Sequence, residues 1–450
     1  MSAPDYDLLV IGTGSGARGV AKPCAQAGWR VAVVDRRPYG GTCAQRGCDP
    51  KKVMVGIARA VDDAARLQGH GVDGALRLDW SALMAFKQSF VDSVPKGVEA
   101  GFRKAGIDTL HGAARFTGPT SMRIDDREVS ARHIVLATGA VPAPLPIPGA
   151  DLMRSSDDFL DLGHLPARVV FVGGGYIAAE FACIAARAGA AVTVVQRGPR
   201  MLKGFDPDLV AILMERFRAL GIDVRTDSQV TGIEQHKDGY RVTLDHKEEG
   251  ASTVKADLVV HAAGRVAQVA DLDLQAAGVA AEKGRLTLDR TLRSTTNPAV
   301  WAVGDAAQKG PPLTPVASHD ARVVVANLLE DAGAGPDYRA VPTVAFSLPP
   351  IASVGLTAAE ARARVKPVRQ SCGFAADWFT ARHNAERAYG YKVLIEEGTE
   401  RVLGAHLVGP HADEVINVFA LAIRQGLTTS DLKDVMFAYP TTSSDIHSML

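Results

Sequence analysis

Asp7-Leu8-Leu9-Val10-Ile11-Gly12-Thr13-Gly14-Ser15-Gly16-Ala17 is an apolar run that stops in a glycine turn. The run predicts a strand over residues 7–11, and a helical stretch follows the turn. A second strand is expected at residues 29–34, closing on Asp35. Strand, glycine turn, helix and strand in this order form the fingerprint of a dinucleotide-binding unit. Gly12 makes the tight turn, and Gly14 lets a pyrophosphate approach the backbone. Ser15 and Gly16 open the helix, and Ala17 sits where helix and strand pack closely. Free N–H groups at the helix start carry a partial positive charge toward the phosphates. Asp35 can accept a hydrogen bond from a ribose hydroxyl. A bare Gly-x-Gly is only a turn; its place between two strands, with an acid at the right distance, makes it a ligand site. Pro23 is expected to end or kink the helix.

The pattern occurs a second time. A strand at 167–172 runs into Gly173-Gly174-Gly175-Tyr176-Ile177-Ala178, a helix to residue 190 and a strand at 191–195. Two such units predict two nucleotides. The second ends in Gln196, with Arg197, Arg200 and Lys203 close behind. An acid at Gln196 would repel a 2′-phosphate, whereas this basic cluster would hold one, so NADPH is expected in preference to NADH. The plainer alternative is a solvated basic loop.

Three further strands end in small-residue turns: 133–137 before Thr138-Gly139, 258–261 before Ala262-Ala263-Gly264, and 299–303 before Gly304-Asp305. From about Tyr338 the character changes. Strands are expected at 341–347, 352–355, 391–396 and 402–408, then a helix at 412–425, with no glycine fingerprint. That alternation predicts an α+β domain.

Fifty basic residues balance fifty acidic ones. A neutral total gives no reason to expect nucleic acid or a membrane surface as partner. No apolar run approaches the roughly 20 residues a membrane helix needs. No basic stretch precedes an apolar one at the N-terminus, so a cytoplasmic protein is expected. Five cysteines in 450 residues are no disulfide framework.

Two of the cysteines lie close together, in Gly40-Gly41-Thr42-Cys43-Ala44-Gln45-Arg46-Gly47-Cys48-Asp49-Pro50-Lys51-Lys52. Their spacing is about one helical turn, which could set both sulfurs on one face. Lys51 or Lys52, with a helix N-terminus, could lower a thiolate pKa. A zinc site would need two more ligands, and no further Cys or His stands nearby, so no metal is expected. Cys24, Cys183 and Cys372 stand singly and read as structural.

With these motifs on the page, the chain resembles the pyridine nucleotide–disulfide oxidoreductases, which include glutathione reductase, dihydrolipoamide dehydrogenase and mercuric reductase. The resemblance runs from Asp7 to the C-terminus. It is carried by Gly40 to Cys48 with Pro50-Lys51-Lys52, by Ala137-Thr138-Gly139, by Gly173 to Glu180, by Gly304-Asp305 and by Leu313-Thr314-Pro315. Pro342-Thr343-Val344-Ala345-Phe346 and Val354-Gly355 add to it.

The resemblance implies an α/β fold class: two Rossmann-like dinucleotide-binding domains plus a C-terminal α+β dimerisation domain. FAD would occupy residues 1–148 and 268–336, the nicotinamide cofactor 149–267, and 337–450 would form a homodimer. Gly12, Gly14, Ser15, Gly16, Asp35, Gly41, Thr42, Lys52, Ala114, Thr138, Gly139, Gly304, Asp305, Leu313 and Thr314 would meet FAD. Gly173, Gly175, Tyr176, Ile177, Glu180, Arg197, Lys203 and Gly264 would meet NADPH. Cys48 would be the charge-transfer thiolate against the flavin and Cys43 the thiol that attacks substrate. Lys52, or Lys51, would pair with Glu180, and Tyr176 would cover the nicotinamide pocket.

The departures concern proton transfer. The family's His-Pro-Thr motif supplies an acid–base histidine, followed by a glutamate that orients it. Here Tyr439 precedes Pro440 and Thr441, and Ser444 takes the place of the glutamate. A phenol holds its proton far more tightly than an imidazolium, so it is a poor base at neutral pH. Asp445 and His447 are the nearby candidates to compensate. Asp49 is also unusual, whereas Arg46 recurs in some glutathione reductases. The leading expectation is reduction of a small-molecule disulfide by NADPH. The alternative is reduction of quinones, oxygen or another non-disulfide acceptor.

Overall fold

The computed structural model describes residues 3–365 and 367–450. The chain divides into two compact units. The first is built from the segment up to Lys51, from Lys87–Ala143 and from Arg265–Tyr338; the second from Lys52–Phe86, Pro144–Gly264 and Arg339–Leu450. The segment Lys52–Phe86, expected with the FAD-binding residues, therefore groups with the second unit.

The first unit centres on a parallel arrangement. Tyr6–Ile11 lies between Val31–Asp35 and Arg127–Leu136, and Val300–Ala302 pairs with the far side of Arg127–Leu136. Leu8, Leu9 and Val10 are all fully buried. Near-continuous apolar runs are what a parallel strand covered on both faces requires. Each such side chain contributes about 1.5–3 kcal/mol of burial. The helix Ser15–Gln26 follows the first turn. It runs three residues past Pro23, so Pro23 does not end it. The chain then turns at Gly28 (φ +87°) and the second strand starts at Val31, two residues later than expected.

The second unit repeats the motif. Arg168–Val172 pairs in parallel with Ala191–Val195 and with Leu258–His261. The helix Tyr176–Arg187 ends before Gly189 (φ +95°), short of the expected residue 190. The C-terminal segment forms a five-stranded antiparallel sheet in the order Thr343–Ala345, Ile351–Gly355, Val402–Val408, Gly390–Glu396 and Val368–Phe374. The helix Ala412–Gln425 packs on it through Val415, Ile416 and Phe419. The strand expected at 341–347 is only Thr343–Ala345, because the Phe346 N–H is spent on the Glu180 carboxylate (2.9 Å) instead of a ladder.

Among the described residues no helix is long and apolar enough to cross a membrane. Cys24 and Cys183 are buried, and burial pushes both thiols up to about 12. Such thiols are inert. Cys372 departs from the structural reading: it is exposed on the strand Val368–Phe374.

Candidate active site

Cys43 and Cys48 do not share one helix. Cys43 belongs to the short helix Gly41–Arg46, and Cys48 is the first residue of Cys48–Arg66. Gly47 (φ −145°, ψ −118°) breaks the chain between them, and a Cβ there would stand 2.9 Å from the Thr42 carbonyl oxygen. The break, not a shared helical face, turns the two thiols toward each other. Thr314, the first residue of the helix Thr314–Glu330, donates its hydroxyl to Cys43 Sγ at 3.0 Å and stands 3.6 Å from Cys48 Sγ.

The two thiols are unlike. Cys48 is lowered to about 6, first by the hydrogen bond from Cys43, then by Thr314 and by the Lys51 charge. Burial and Asp49 work against this. Cys43 is raised, chiefly because it holds the proton of that bond. Of the two, Cys48 is favoured as the thiolate and Cys43 as the partner that holds the shared proton. Asp49, the unusual residue, accepts weakly from Cys43 Sγ at 3.9 Å.

Around the first glycine turn the residues suit a dinucleotide. Gly12 has φ +109°, and a Cβ there would lie 2.3 Å from the Ala137 carbonyl oxygen. Gly41 presses on Gly14, where a Cβ on Gly41 would come within 2.5 Å of the Gly14 Cα. The helix Ser15–Gln26 starts from Gly14 with no side-chain cap and no acid in its first turn, so its Ser15, Gly16 and Ala17 end keeps N–H groups for a ligand. Asp35 accepts from Thr13 Oγ1 (2.7 Å) and the Arg37 N–H (3.0 Å). Thr138 and Gly139 follow the strand Arg127–Leu136, and Ala114 opens Ala114–Phe116. Gly304 donates its N–H to Asp320 (2.9 Å). Burial raises the neighbouring Asp305 carboxyl, with Arg265 opposing. Leu313 leaves the helix Thr314–Glu330 uncapped. Thr42 lies in the cysteine helix. These groups, all in the first unit, fit a nucleotide-linked flavin.

The second turn has its own ligand features. Gly173 has φ +108°, and Gly175 precedes an uncapped helix that begins with Tyr176 and Ile177. Gln196 accepts from the Gly174 N–H (2.8 Å). Arg197 and Lys203 are exposed, and Arg200 reaches the Lys203 carbonyl. Gly264 (φ +109°) follows Leu258–His261. The Tyr176 hydroxyl is 2.8 Å from Thr343 Oγ1, and its ring packs edge-on against Phe205.

The two lysines separate. Lys51 is buried and acts on Cys48. Lys52 instead pairs with Asp413 at 3.1 Å and lies over the Phe346 ring at 3.7 Å. Glu180 accepts from the Phe346 N–H. The lysine expected beside the cysteines is thus Lys51, three residues past Cys48, and Lys52 is held by Asp413 of the helix Ala412–Gln425. The Asp413 contact was not expected, and no sequence motif points to it.

Tyr439 is 83% exposed. Ser444 is used locally: its N–H donates to Thr441 Oγ1 and its hydroxyl to the Thr441 carbonyl. Asp445 accepts from Tyr389 (2.7 Å) and from Thr380, and His447 contacts the Val435 carbonyl (2.9 Å) and the Phe437 ring. Neither Asp445 nor His447 is paired with Tyr439.

A family model described as pyridine nucleotide-disulphide oxidoreductase matches residues 6–321, and the dimerisation domain of the same family matches residues 341–450. The chain belongs to this family. Such oxidoreductases are flavoprotein enzymes that use FAD and a pyridine nucleotide, and this one carries the family's dimerisation domain. The oxidoreductase is 32% identical to a glutathione reductase of Burkholderia cepacia, over 99% of this chain and 98% of that protein. It is 33% identical to a dihydrolipoyl dehydrogenase of Haloferax volcanii, over 99% and 95%. The structure of the HOCl-induced flavoprotein disulfide reductase RclA from Escherichia coli, solved as a Cu(II) complex, superposes with a TM-score of 0.89 at 28% identity, over 99% of each chain.

Proposed function

We propose that this oxidoreductase uses NADPH and FAD to reduce a small-molecule disulfide through Cys43 and Cys48. One observation carries the reading: Cys43 and Cys48 lie side by side, with one hydroxyl, Thr314, within reach of both sulfurs. Bound FAD would take hydride from NADPH and supply two electrons to the Cys43–Cys48 disulfide. Gly12, Gly14, Ser15, Gly16, Asp35, Gly41, Thr42, Thr138, Gly139, Gly304, Asp305 and Thr314 would hold it. Arg197 and Lys203 would hold the 2′-phosphate, and Tyr176 would cover the nicotinamide. A homodimer fits the dimerisation domain.

In the reaction, Cys43 as thiolate attacks a substrate disulfide. A Cys43–sulfur bond forms, the substrate S–S bond breaks, and one thiolate leaves and takes up a proton. Cys48 then attacks Cys43 Sγ, which re-forms the Cys43–Cys48 disulfide and releases the second thiolate. The two cysteines lose two electrons and two protons, and the substrate gains them.

The test combines spectroscopy with turnover. Cys43→Ser should leave Cys48 as a free thiolate and give a long-wavelength absorbance in the oxidised flavoprotein without reductant. Cys48→Ser should not. That absorbance should fade as pH falls, because protonation removes the Cys48 thiolate, and its midpoint in this variant should lie above about 6, since the Cys43 thiol that lowers Cys48 most is gone. NADPH turnover is then measured against a panel of disulfides. No band in either variant would overturn the cysteine roles.

Tyr439 in place of the family's histidine favours a second reading: an acceptor that needs no thiolate protonation, such as a quinone, oxygen or another non-disulfide acceptor. If disulfides are native substrates, Tyr439→His with Ser444→Glu should raise their turnover about ten-fold or more, within the usual acid–base range. Quinone turnover should stay level.

A further inference from the structure

Asp320 is an acid inside the helix Thr314–Glu330, and its side chain is fully buried. A buried carboxyl is costly unless hydrogen bonds satisfy it. Two such bonds reach Asp320. Tyr338 donates its hydroxyl to one oxygen at 2.8 Å, and the Gly304 N–H donates to the other at 2.9 Å. Burial raises the Asp320 carboxyl, and these two bonds oppose the rise. Tyr338 also braces the loop beyond Gly304, since a Cβ on Gly310 would stand 2.6 Å from its ring. The neighbouring His319 accepts the Asp337 N–H at 2.9 Å, so the segment that brings Tyr338 back is tied at two adjacent points. Gly304 itself has φ +62° and lies close to the helix: a Cβ there would stand 2.9 Å from the Ala317 Cβ. The same helix backs the first glycine helix, where a Cβ on Gly19 would meet the Ala321 Cβ at 2.7 Å.

The strand order says which part of a ligand this turn would meet. Val300–Ala302 pairs in parallel with Arg127–Leu136, that strand with Tyr6–Ile11, and Tyr6–Ile11 with Val31–Asp35. Asp35, Gly12 and Gly304 therefore stand in one row at the carboxyl ends of parallel strands. Gly304 lies two strands beyond Gly12, on the side away from Asp35, roughly 10 Å at the usual strand spacing. A dinucleotide held by its ribose at Asp35 and by its pyrophosphate at Gly12 and Gly14 extends its far half along this row. In FAD that half is the ribityl chain and the flavin. We propose that Asp320 is a positioning residue for this half of FAD: its carboxyl fixes the Gly304–Asp305 turn against the helix, and Tyr338 fixes the carboxyl. The inference rests on the reading of that turn as a flavin contact. No motif marks Asp320 in the sequence, where it stands 16 residues from Gly304 and 18 from Tyr338.

The experiment compares two ligands, FAD and ADP, by titration of the flavin-free full-length protein. FAD is long enough to reach the Gly304–Asp305 turn, whereas ADP ends at the first glycine turn. Asp320→Ala should weaken FAD binding about ten-fold or more, because the buried Gly304 N–H loses its acceptor. ADP affinity should change less than about three-fold. Asp320→Asn should restore FAD affinity to within about three-fold, since its amide oxygen can take the Gly304 N–H and its amide nitrogen can donate to the Tyr338 hydroxyl. Tyr338→Phe, which leaves Asp320 in place, should weaken FAD about five-fold and spare ADP. A merely structural acid would lower the melting temperature of the flavin-free protein and weaken both ligands together, with no rescue by asparagine. If Asp320→Ala fails to fold, Tyr338→Phe and Asp320→Asn carry the test. Asp305→Ala tells the two ideas apart, and it should itself weaken FAD and spare ADP. Weakened FAD in Asp305→Ala beside unchanged FAD in Asp320→Ala and Tyr338→Phe overturns the role of Asp320 alone, as do equal losses of FAD and ADP. Unchanged FAD affinity in Asp305→Ala overturns the reading of the turn as a flavin contact.

Discussion

The two glycine turns are near copies in backbone and opposites in chemistry. Gly12 and Gly173 sit at φ +109° and +108°. Each donates its N–H to the end of the next strand, Val34 at 2.7 Å and Val195 at 2.8 Å. Each opens a 12-residue helix with a bare N-terminus. A Cβ would collide with a carbonyl oxygen in both, that of Ala137 at 2.3 Å and that of Ala262 at 2.4 Å. What differs is the side chain at the end of the second strand. Asp35 is an acid, fixed beside the turn by Thr13. Gln196 is neutral, and its amide oxygen is taken by the Gly174 N–H. The backbone thus builds the same turn twice, and on the proposed reading the side chains at equivalent positions choose the nucleotide.

The strongest attempt to break this comparison is to add one carbon to each turn. Gly12→Ala forces a β-carbon into Ala137 and into a backbone region alanine rarely adopts, at a cost above about 3 kcal/mol. The purified protein should lose its flavin, with affinity down by more than about a hundred-fold, read from flavin absorbance per chain. Gly173→Ala should keep the flavin and lose nucleotide binding. Equal flavin loss in both variants would show that the turns do not serve separate ligands.

Removing the basic cluster should have the next largest effect. Arg197→Ala with Lys203→Ala should raise the NADPH KM by about ten- to a hundred-fold for each lost charge-assisted bond, at about 1.5–3 kcal/mol apiece. The NADH KM should change less than about three-fold. Parallel rises would sink the coenzyme assignment.

A sharper and smaller test makes the second turn resemble the first. Gln196→Glu places an acid at the position equivalent to Asp35. It should shift the NADPH-to-NADH ratio of kcat/KM about ten-fold toward NADH, by repulsion of the 2′-phosphate. An unmoved ratio would mean that the basic residues alone set the preference.

The smallest expected effect belongs to Thr13, which has Gly174 as its counterpart. Thr13→Val removes the bond to Asp35 and the one accepted from the Gly40 N–H (3.0 Å). Each neutral bond is worth about 1 kcal/mol, more where a carboxylate accepts. Flavin affinity should fall by about ten-fold, measured by titration of the flavin-free protein. No change would make the first turn as independent of its side chains as the second.

The sequence by itself determined both nucleotide units and the C-terminal α+β segment. Apolar runs buried on both faces, and glycines at positions where φ is positive and a Cβ would collide, are local constraints that leave a mark in composition and spacing. The expected strands at 258–261 and 402–408 and the helix at 412–425 match the structure residue for residue, because turn residues bound each of them. The ends of the strand around Thr343 did not follow from spacing, since a carboxylate 166 residues earlier, Glu180, takes the Phe346 N–H. The tertiary structure alone decided the chemistry around the thiols. Spacing allowed Cys43 and Cys48 to share a helical face, yet Gly47 divides them between two helices. Spacing left Lys51 and Lys52 equivalent, yet Asp413 claims Lys52 and leaves Lys51 to Cys48. Thr314 meets both sulfurs from far along the chain. Hydrogen bonds and ion pairs act over a few ångströms of space whatever the distance in sequence, so the fold must bring their partners together before their chemistry can be read.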